Sequence, residues 1–384
     1  MNIRYRIRAF CLIVSSLLVM SSYSQSAGSI NVRLRGEIID RPQSSRLLLK
    51  KEGEDPRSIE VISIPIVNGK FEYDLNCDHE ELYELVFYDE FQRGIWRSVE
   101  FFSEHGIINF TLHPDDRFEM NKVEGGKNNR EYRDYYSIGS KKEETITNEL
   151  MAKIEEATKE GLNVDSIAEA LQYSAFQEML RWQLQYIREH PTIVGYGILM
   201  SATRNVLQTP FDISPYAEAY QTIFAPRYPD HPYSEQMQTL FTGLSIKAGV
   251  SFVDFTTGDL TGKPVKLSDR IAGRPAILHL WASWCGPCRR DGKALIPVYE
   301  EFREKGFVVI GVAREKNVAT AIAAAELDEY PWENLVELND AEQIWNKYGI
   351  GNAGGSIFLI DEKGIIVAVA PSIEEVRNFL EKKF

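Results

Sequence analysis

The chain has 384 residues, room for two or three domains. A hydrophobic fraction of 44% and a charged fraction of 26% are ordinary for soluble globular protein. A net charge of −13 argues against nucleic acid or an anionic membrane as partner and fits a solvated acidic surface.

In chain order, residues 1–24 read as a secretory signal peptide. Arg4, Arg6 and Arg8 form a basic start, Ala9 to Met20 an apolar stretch, and Ser22 and Ser24 supply the small residues for cleavage near Ser24, before Gln25. The apolar stretch is too short to span a membrane. Cys11 lies inside it, after Arg8-Ala9-Phe10, and does not look like a lipid-attachment site. A soluble, exported and periplasmic protein is expected. It keeps Cys77, Cys285 and Cys288: one redox pair and one single thiol, too few for a disulfide-stapled scaffold.

Residues 29–118 are predicted to form a β-sandwich. Ile30, Val32 and Leu34 alternate with polar residues. Further strands are expected over 46–50, 58–64, 70–75, 81–88, 96–102 and 107–112, with Asn68-Gly69 as a hairpin turn. Residues 119–244 read as a helical spacer domain. A linker over 124–129 precedes helices over 146–159 and 167–189, the second stopped by His190-Pro191. Another helix starts at Ile193, and Pro226 to Pro232 is a breaker-rich loop before a last helix to about Leu244. No solenoid repeat and no phosphate loop is found in this region.

Residues 245–384 carry the chemistry. Ala276 to Trp281 is a short apolar run, the mark of a buried parallel strand. Trp284-Cys285-Gly286-Pro287-Cys288 follows, and then a helical pattern with Leu295, Val298, Tyr299 and Phe302 on one face. A Cys-x-x-Cys between a strand and a helix is a redox signature. Cys285 falls at the helix N-terminus, where free N–H groups and the dipole stabilise a thiolate. It is expected to be accessible and to attack a client disulfide, and Cys288 to resolve the mixed disulfide. No second Cys-x-x-Cys or His-x-x-x-His completes a zinc site, so neither metal nor cofactor is expected. After the helix come a strand over 307–313, helices over 318–327 and 341–348, an antiparallel pair over 356–361 and 365–370, and a last helix over 372–383. This β-α-β then β-β-α order predicts a mixed sheet flanked by helices.

The stretch Trp281-Ala282-Ser283-Trp284-Cys285-Gly286-Pro287-Cys288-Arg289-Arg290 resembles the thioredoxin family and, within it, the TlpA/ResA-type thiol-disulfide oxidoreductases of bacterial envelopes. The resemblance spans 245–384; Phe252–Thr256 and Gly262–Asp269 look like the family's N-terminal β-hairpin. It implies a multidomain α+β chain with a C-terminal thioredoxin-like α/β fold. Val67–Tyr73 followed by Glu81–Leu85 is similar to an uncharacterised β-domain that precedes such modules in exported proteins. The implied activity is dithiol–disulfide exchange on envelope proteins, in the reducing direction, fed by a membrane electron-donor thiol protein. Trp284 would shield Cys285 and contact the client. Asp291 stands where the family carries a glutamate able to take the resolving thiol's proton. His279 replaces the family's buried Asp or Asn. Lys293 departs as well: the helix-kinking proline is displaced to Pro297. Counting back from Phe358 puts Gly355 where the family has a cis-proline, so Gly355 and Ser356 become the substrate-binding positions, on a trans and more mobile loop. Two other readings stay open: a peptide- or glycan-binding protein with an auxiliary thioredoxin domain, and a disulfide isomerase if the chain dimerises.

Overall fold

Strict alternation builds the first part of the chain. The computed structural model describes residues 29–384 apart from Trp96, Gln208 and Pro210; the expected signal peptide lies outside the described residues. β1 (Ile30–Ile38) buries Val32, Leu34 and Ile38 and exposes Asn31, Arg33 and Glu37. It is joined by β2 (Arg46–Lys51), β3 (Ile62–Pro65), β4 (Lys70–Cys77), β5 (Leu82–Phe87), β6 (Ser98–Phe102), β7 (Gly106–Leu112) and β8 (Lys122–Glu124). They form two four-stranded sheets, ordered β4-β1-β7-β8 and β3-β2-β5-β6. Leu34, Phe71 and Phe110 of one sheet meet Leu47, Leu85 and Phe101 of the other in a single core, so the architecture is the expected sandwich.

Two details differ from the sequence reading. Asn68 and Gly69 do make a two-residue turn, with φ of 51° and 69°. The strands it joins part at once: β3 pairs with β2 and β4 with β1, so the turn carries the chain from one sheet to the other. The expected strand over 58–64 shortens to Ile62–Pro65, because Ser58 and Ile59 donate their N–H groups to the carbonyl of Asp55 in a tight turn.

β8 pairs with β7 in a stretch expected to belong to the spacer. Behind it Gly125 and Gly126 take φ of 120° and 74°. A Cβ on Gly126 would fall on the carboxylate of Glu104. That carboxylate accepts N–H groups from Lys127 (2.7 Å), Asn128 (3.2 Å) and Asn129 (3.0 Å). It thereby caps the helix Asn128–Lys159, whose first half the sequence reading leaves as linker and loop. The hidden half buries Tyr132 and Tyr135, whose hydroxyls mask an apolar face. This helix packs against Val164–Glu189, Gly139 lying under the Trp182 ring, and the latter ends before His190-Pro191 as expected. Ile193–Val206, capped by the Thr192 hydroxyl, is the buried centre of the helical region. The break expected at Pro226 falls later, because Pro226 sits in the first turn of Ala225–Arg227, where its missing N–H costs nothing. Pro232–Leu244 closes the region.

The third part is one seven-stranded sheet, ordered β10-β9-β13-β12-β11-β14-β15. Its strands are β9 (Thr256–Asp259), β10 (Pro264–Lys266), β11 (Ala276–Trp281), β12 (Val308–Glu315), β13 (Glu333–Leu338), β14 (Ser356–Ile360) and β15 (Ile366–Val369). β11, β12 and β13 are parallel; β14 returns antiparallel beside β11. Alternate residues of β11 feed cores on its two faces, Leu278 and Leu280 into one and Ile277 into the other. This mixed sheet between helices is the α/β fold that the thioredoxin resemblance implies. β13 escapes the sequence reading because two of its four buried residues are polar. Asn334 accepts from Trp281 Nε1 at 3.2 Å, and Glu337 accepts the N–H groups of Glu342 and Ile344. Among the described residues no helix is long and apolar enough to cross a membrane.

The Glu104 cap makes a direct prediction. Glu104→Ala leaves three N–H groups at a buried helix start without their acceptor and should cost about 2 kcal/mol in urea unfolding. Glu104→Gln, which keeps an acceptor oxygen, should cost about half of that. A loss below about 0.5 kcal/mol for the alanine variant would show that water caps this helix as well as the carboxylate does.

Candidate redox site

β11 delivers the site. All six of its residues are buried, and the chain leaves it through Ala282-Ser283, where Ser283 N–H donates to Glu315 Oε1 at 2.6 Å. Cys285 is the N-cap of the helix Gly286–Phe302, with Pro287 in its first turn. Its sulfur accepts the N–H of Cys288 at 3.3 Å. Cys285 and Cys288 are joined in a disulfide, with Cα atoms 5.4 Å apart. The helix runs on through Pro297 to Phe302.

The pair is covered. Cys285 is 8% exposed and Cys288 7%, so exposure does not distinguish the expected attacking sulfur from the resolving one. Trp281, Ala313, Ala321, Ala324 and Val336 surround them. The cover is Gly354: a Cβ there would strike Cys285 Sγ and stand 3.3 Å from Cys288 Sγ. The residue facing the disulfide is therefore Gly354. Gly355 and Ser356 lie one step further on, against the β11 backbone: a Cβ on Gly355 would fall on the Leu280 carbonyl, and Ser356 is the register partner of Leu280. All peptide bonds among the described residues are trans. The loop is tethered where a mobile one is expected. Buried Arg314, paired with Asp340, donates to Gly351 O at 3.2 Å and to Asn352 Oδ1 at 3.3 Å. Asn352 in turn reaches the β-sandwich, donating to Gly53 O at 3.1 Å.

Trp284 is half-buried beside the pair, under the guanidinium of Arg57, whose Cζ lies 4.0 Å from the ring centroid. Asp291 is exposed and Cys288 buried, three residues apart on the same helix. Arg289 is engaged by a buried carboxylate. It grips Asp328 with two hydrogen bonds of 2.6 and 2.9 Å, and Lys293 adds a third contact at 2.8 Å. The Arg289 hydrogen bond holds the buried Asp328 carboxyl below the ordinary carboxylate range. His279 is wholly buried, and burial pushes its pKa down to about 4. The neutral ring donates from Nε2 to the Cys288 carbonyl at 3.1 Å, tying β11 to the helix. Gly292, which the sequence reading passes over, makes this approach work: a Cβ there would strike the His279 ring and the Tyr330 hydroxyl. A glycine inside a helix, costing about 1 kcal/mol against alanine, was the available signal. Cys77 is an unpaired, half-buried thiol at the end of β4, its pKa raised by burial. Among the described residues no cluster of metal-ligating side chains is present.

Two predictions follow from these environments. His279 titrates near 4 when folded and near 6.5 when unfolded, so the unfolded chain binds the extra proton between those values. Stability is full above pH 6.5, falls as pH drops towards 4, and His279 contributes on the order of 3 kcal/mol to that fall. Urea unfolding of a His279→Gln variant at both pH values should show a smaller decline than the parent. Placing the family's proline at 355 should fail for a separate reason. The Leu280 carbonyl occupies the ring's space and the native φ is 159°, far from the roughly −65° proline demands. Gly355→Pro should lower Tm by several degrees; an unchanged Tm would show that the loop re-forms freely.

Residues 248–369 match the AhpC/TSA family and residues 32–132 match a domain of unknown function (DUF4369). The thiol-disulfide oxidoreductase ResA of Bacillus thuringiensis (strain Al Hakam) is 29% identical over 153 residues, 38% of this chain and 86% of that protein. ResA of Bacillus subtilis (strain 168) is 28% identical over 127 residues, 33% of this chain and 68% of that protein. Among solved structures, the thioredoxin domain of a Bacteroides vulgatus thiol-disulfide oxidoreductase is 28% identical, covering 36% of this chain and 99% of that one, with a TM-score of 0.34. The C-terminal part of the chain is thus similar to the AhpC/TSA family and to ResA, and the N-terminal part to the DUF4369 domain.

Proposed function

We propose that the chain is a thiol-disulfide oxidoreductase that works as a reductase on exported proteins. The observation that carries this is the Cys285–Cys288 disulfide at the start of the Gly286–Phe302 helix, the one arrangement among the described residues able to give and take two electrons. In the reduced form the Cys285 thiolate, favoured by the helix N-terminus, attacks a client disulfide. A mixed disulfide forms and the first client sulfur leaves as a thiolate, which takes up a proton. Cys288 loses its proton and attacks Cys285 Sγ, and the second client sulfur departs. The client gains two electrons and the chain is left as the disulfide seen here. A dithiol donor, for which a membrane thiol protein is the natural class, must return two electrons for each cycle.

Trp284 and the loop carrying Gly354, Gly355 and Ser356 flank the pair and are the surfaces a client meets. Asp291, three residues after Cys288 and exposed, is the carboxylate that would exchange the resolving thiol's proton. The ResA relatives support the exchange chemistry, and the signal-like first 24 residues support a periplasmic location. The test is insulin-disulfide reduction under dithiothreitol. Cys285→Ser should lose about a hundredfold or more in rate. Cys288→Ala should accumulate a mixed disulfide through Cys285 when mixed with an envelope extract. A Cys285→Ser variant that keeps more than about a tenth of the rate would overturn the assignment.

A further inference from the structure

The mouth of the redox site is built by two parts of the chain that lie far apart in sequence. One is the thioredoxin-like domain; the other is a turn of the β-sandwich between β2 and β3. This turn is stiff. Asp55, fully buried, accepts from Arg57 Nε at 3.0 Å, from Arg57 Nη2 at 2.6 Å and from the Arg57 backbone N–H at 2.9 Å. The guanidinium so fixed does two things at once. It lies over the Trp284 ring at 4.0 Å, and its Nη2 donates to the Asn352 carbonyl at 3.3 Å. Asn352 answers by donating to Gly53 O at 3.1 Å, and Glu60 N–H donates to Asn339 Oδ1 at 2.8 Å.

Trp284 adjoins Cys285, and Asn352 belongs to the loop that lays Gly354 on the disulfide. One arginine from the other domain therefore ties together the two walls between which a client must enter. The loop also borders open space. A cavity of about 500 Å³ is lined by Gly349, Gly351 and Asn352 on one side and by Leu240, Leu244 and Ile246 on the other.

Building on the thiol–disulfide exchange reading, we propose that Arg57 is a positioning residue of the redox site. It latches Trp284 to the 351–355 loop, so that the pair exchanges readily with small disulfides and with a protein disulfide only when the latch opens. A client that binds the open state alone sees its affinity reduced by the fraction open. Loosening the latch should thus lower KM for a protein disulfide and leave its kcat close to the parent's.

The experiment uses the full mature chain, with insulin as the protein disulfide and 5,5′-dithiobis(2-nitrobenzoate) as the small one. Arg57→Ala should raise the ratio of insulin to small-disulfide kcat/KM about fivefold to tenfold, through the insulin KM. Arg57→Lys, which keeps the charge but loses the flat fork, should fall between the parent and Arg57→Ala. Because Arg57→Ala strands the buried Asp55 carboxylate, the double variant Asp55→Asn/Arg57→Ala provides a second release that leaves no buried charge unpaired. It should shift the ratio in the same direction. A parent that turns over the small disulfide, with the ratio unmoved or lowered in both Arg57→Ala and Asp55→Asn/Arg57→Ala, overturns the latch alone. A parent that turns over neither disulfide overturns the exchange reading, and the latch with it.

Discussion

The space around one sulfur atom governs this structure. Cys285 Sγ is bonded to Cys288, accepts that residue's N–H, and bears on the backbone of Gly354. Each neighbour limits the others. The helix must start at Gly286 for the N–H to point at the sulfur. The facing loop must carry glycine at 354, since a single methyl group there would lift it off the pair. Burial in an apolar cluster disfavours a free thiolate, whereas the helix terminus favours it, and the balance between them sets how the pair behaves once it is reduced.

Polar residues buried around the pair supply order rather than reactivity. Asp328 absorbs the charges of Arg289 and Lys293; His279 stays neutral and ties the strand to the helix; Glu315 holds Ser283. Each fixes the backbone on which the disulfide rests. Arg289 directly follows the Cys-x-x-Cys in sequence. In three dimensions its guanidinium is committed to a buried carboxylate 39 residues away.

Much of the fold was legible because its signals are local. The sandwich strands alternate, β11 is continuously apolar, and the Cys-x-x-Cys lies at the junction of a strand and a helix. What escaped was polar residues doing apolar work. The first half of Asn128–Lys159 hides its buried face under tyrosine hydroxyls, and β13 buries Asn334 and Glu337 by satisfying them at long range. Counting back from Phe358 points to Gly355, whereas the residue lying against the sulfur is its neighbour Gly354. The thioredoxin-like fold and the cysteines were within reach of sequence. The contribution of the β-sandwich to the site was not, because no local pattern announces a contact between Arg57 and Asn352, 295 residues apart.

That separation bears on the order in which the molecule assembles. Contacts within the sandwich and within the seven-stranded sheet close shorter loops than the Arg57–Asn352 contact does, and loop closure grows costlier with length. Each domain can acquire its own core before the two dock. During that interval the paired cysteines stand on a finished helix with the neighbouring domain not yet seated against their rim. Before docking, Trp284 and the loop at Asn352 therefore lack the Arg57 contacts that later join them.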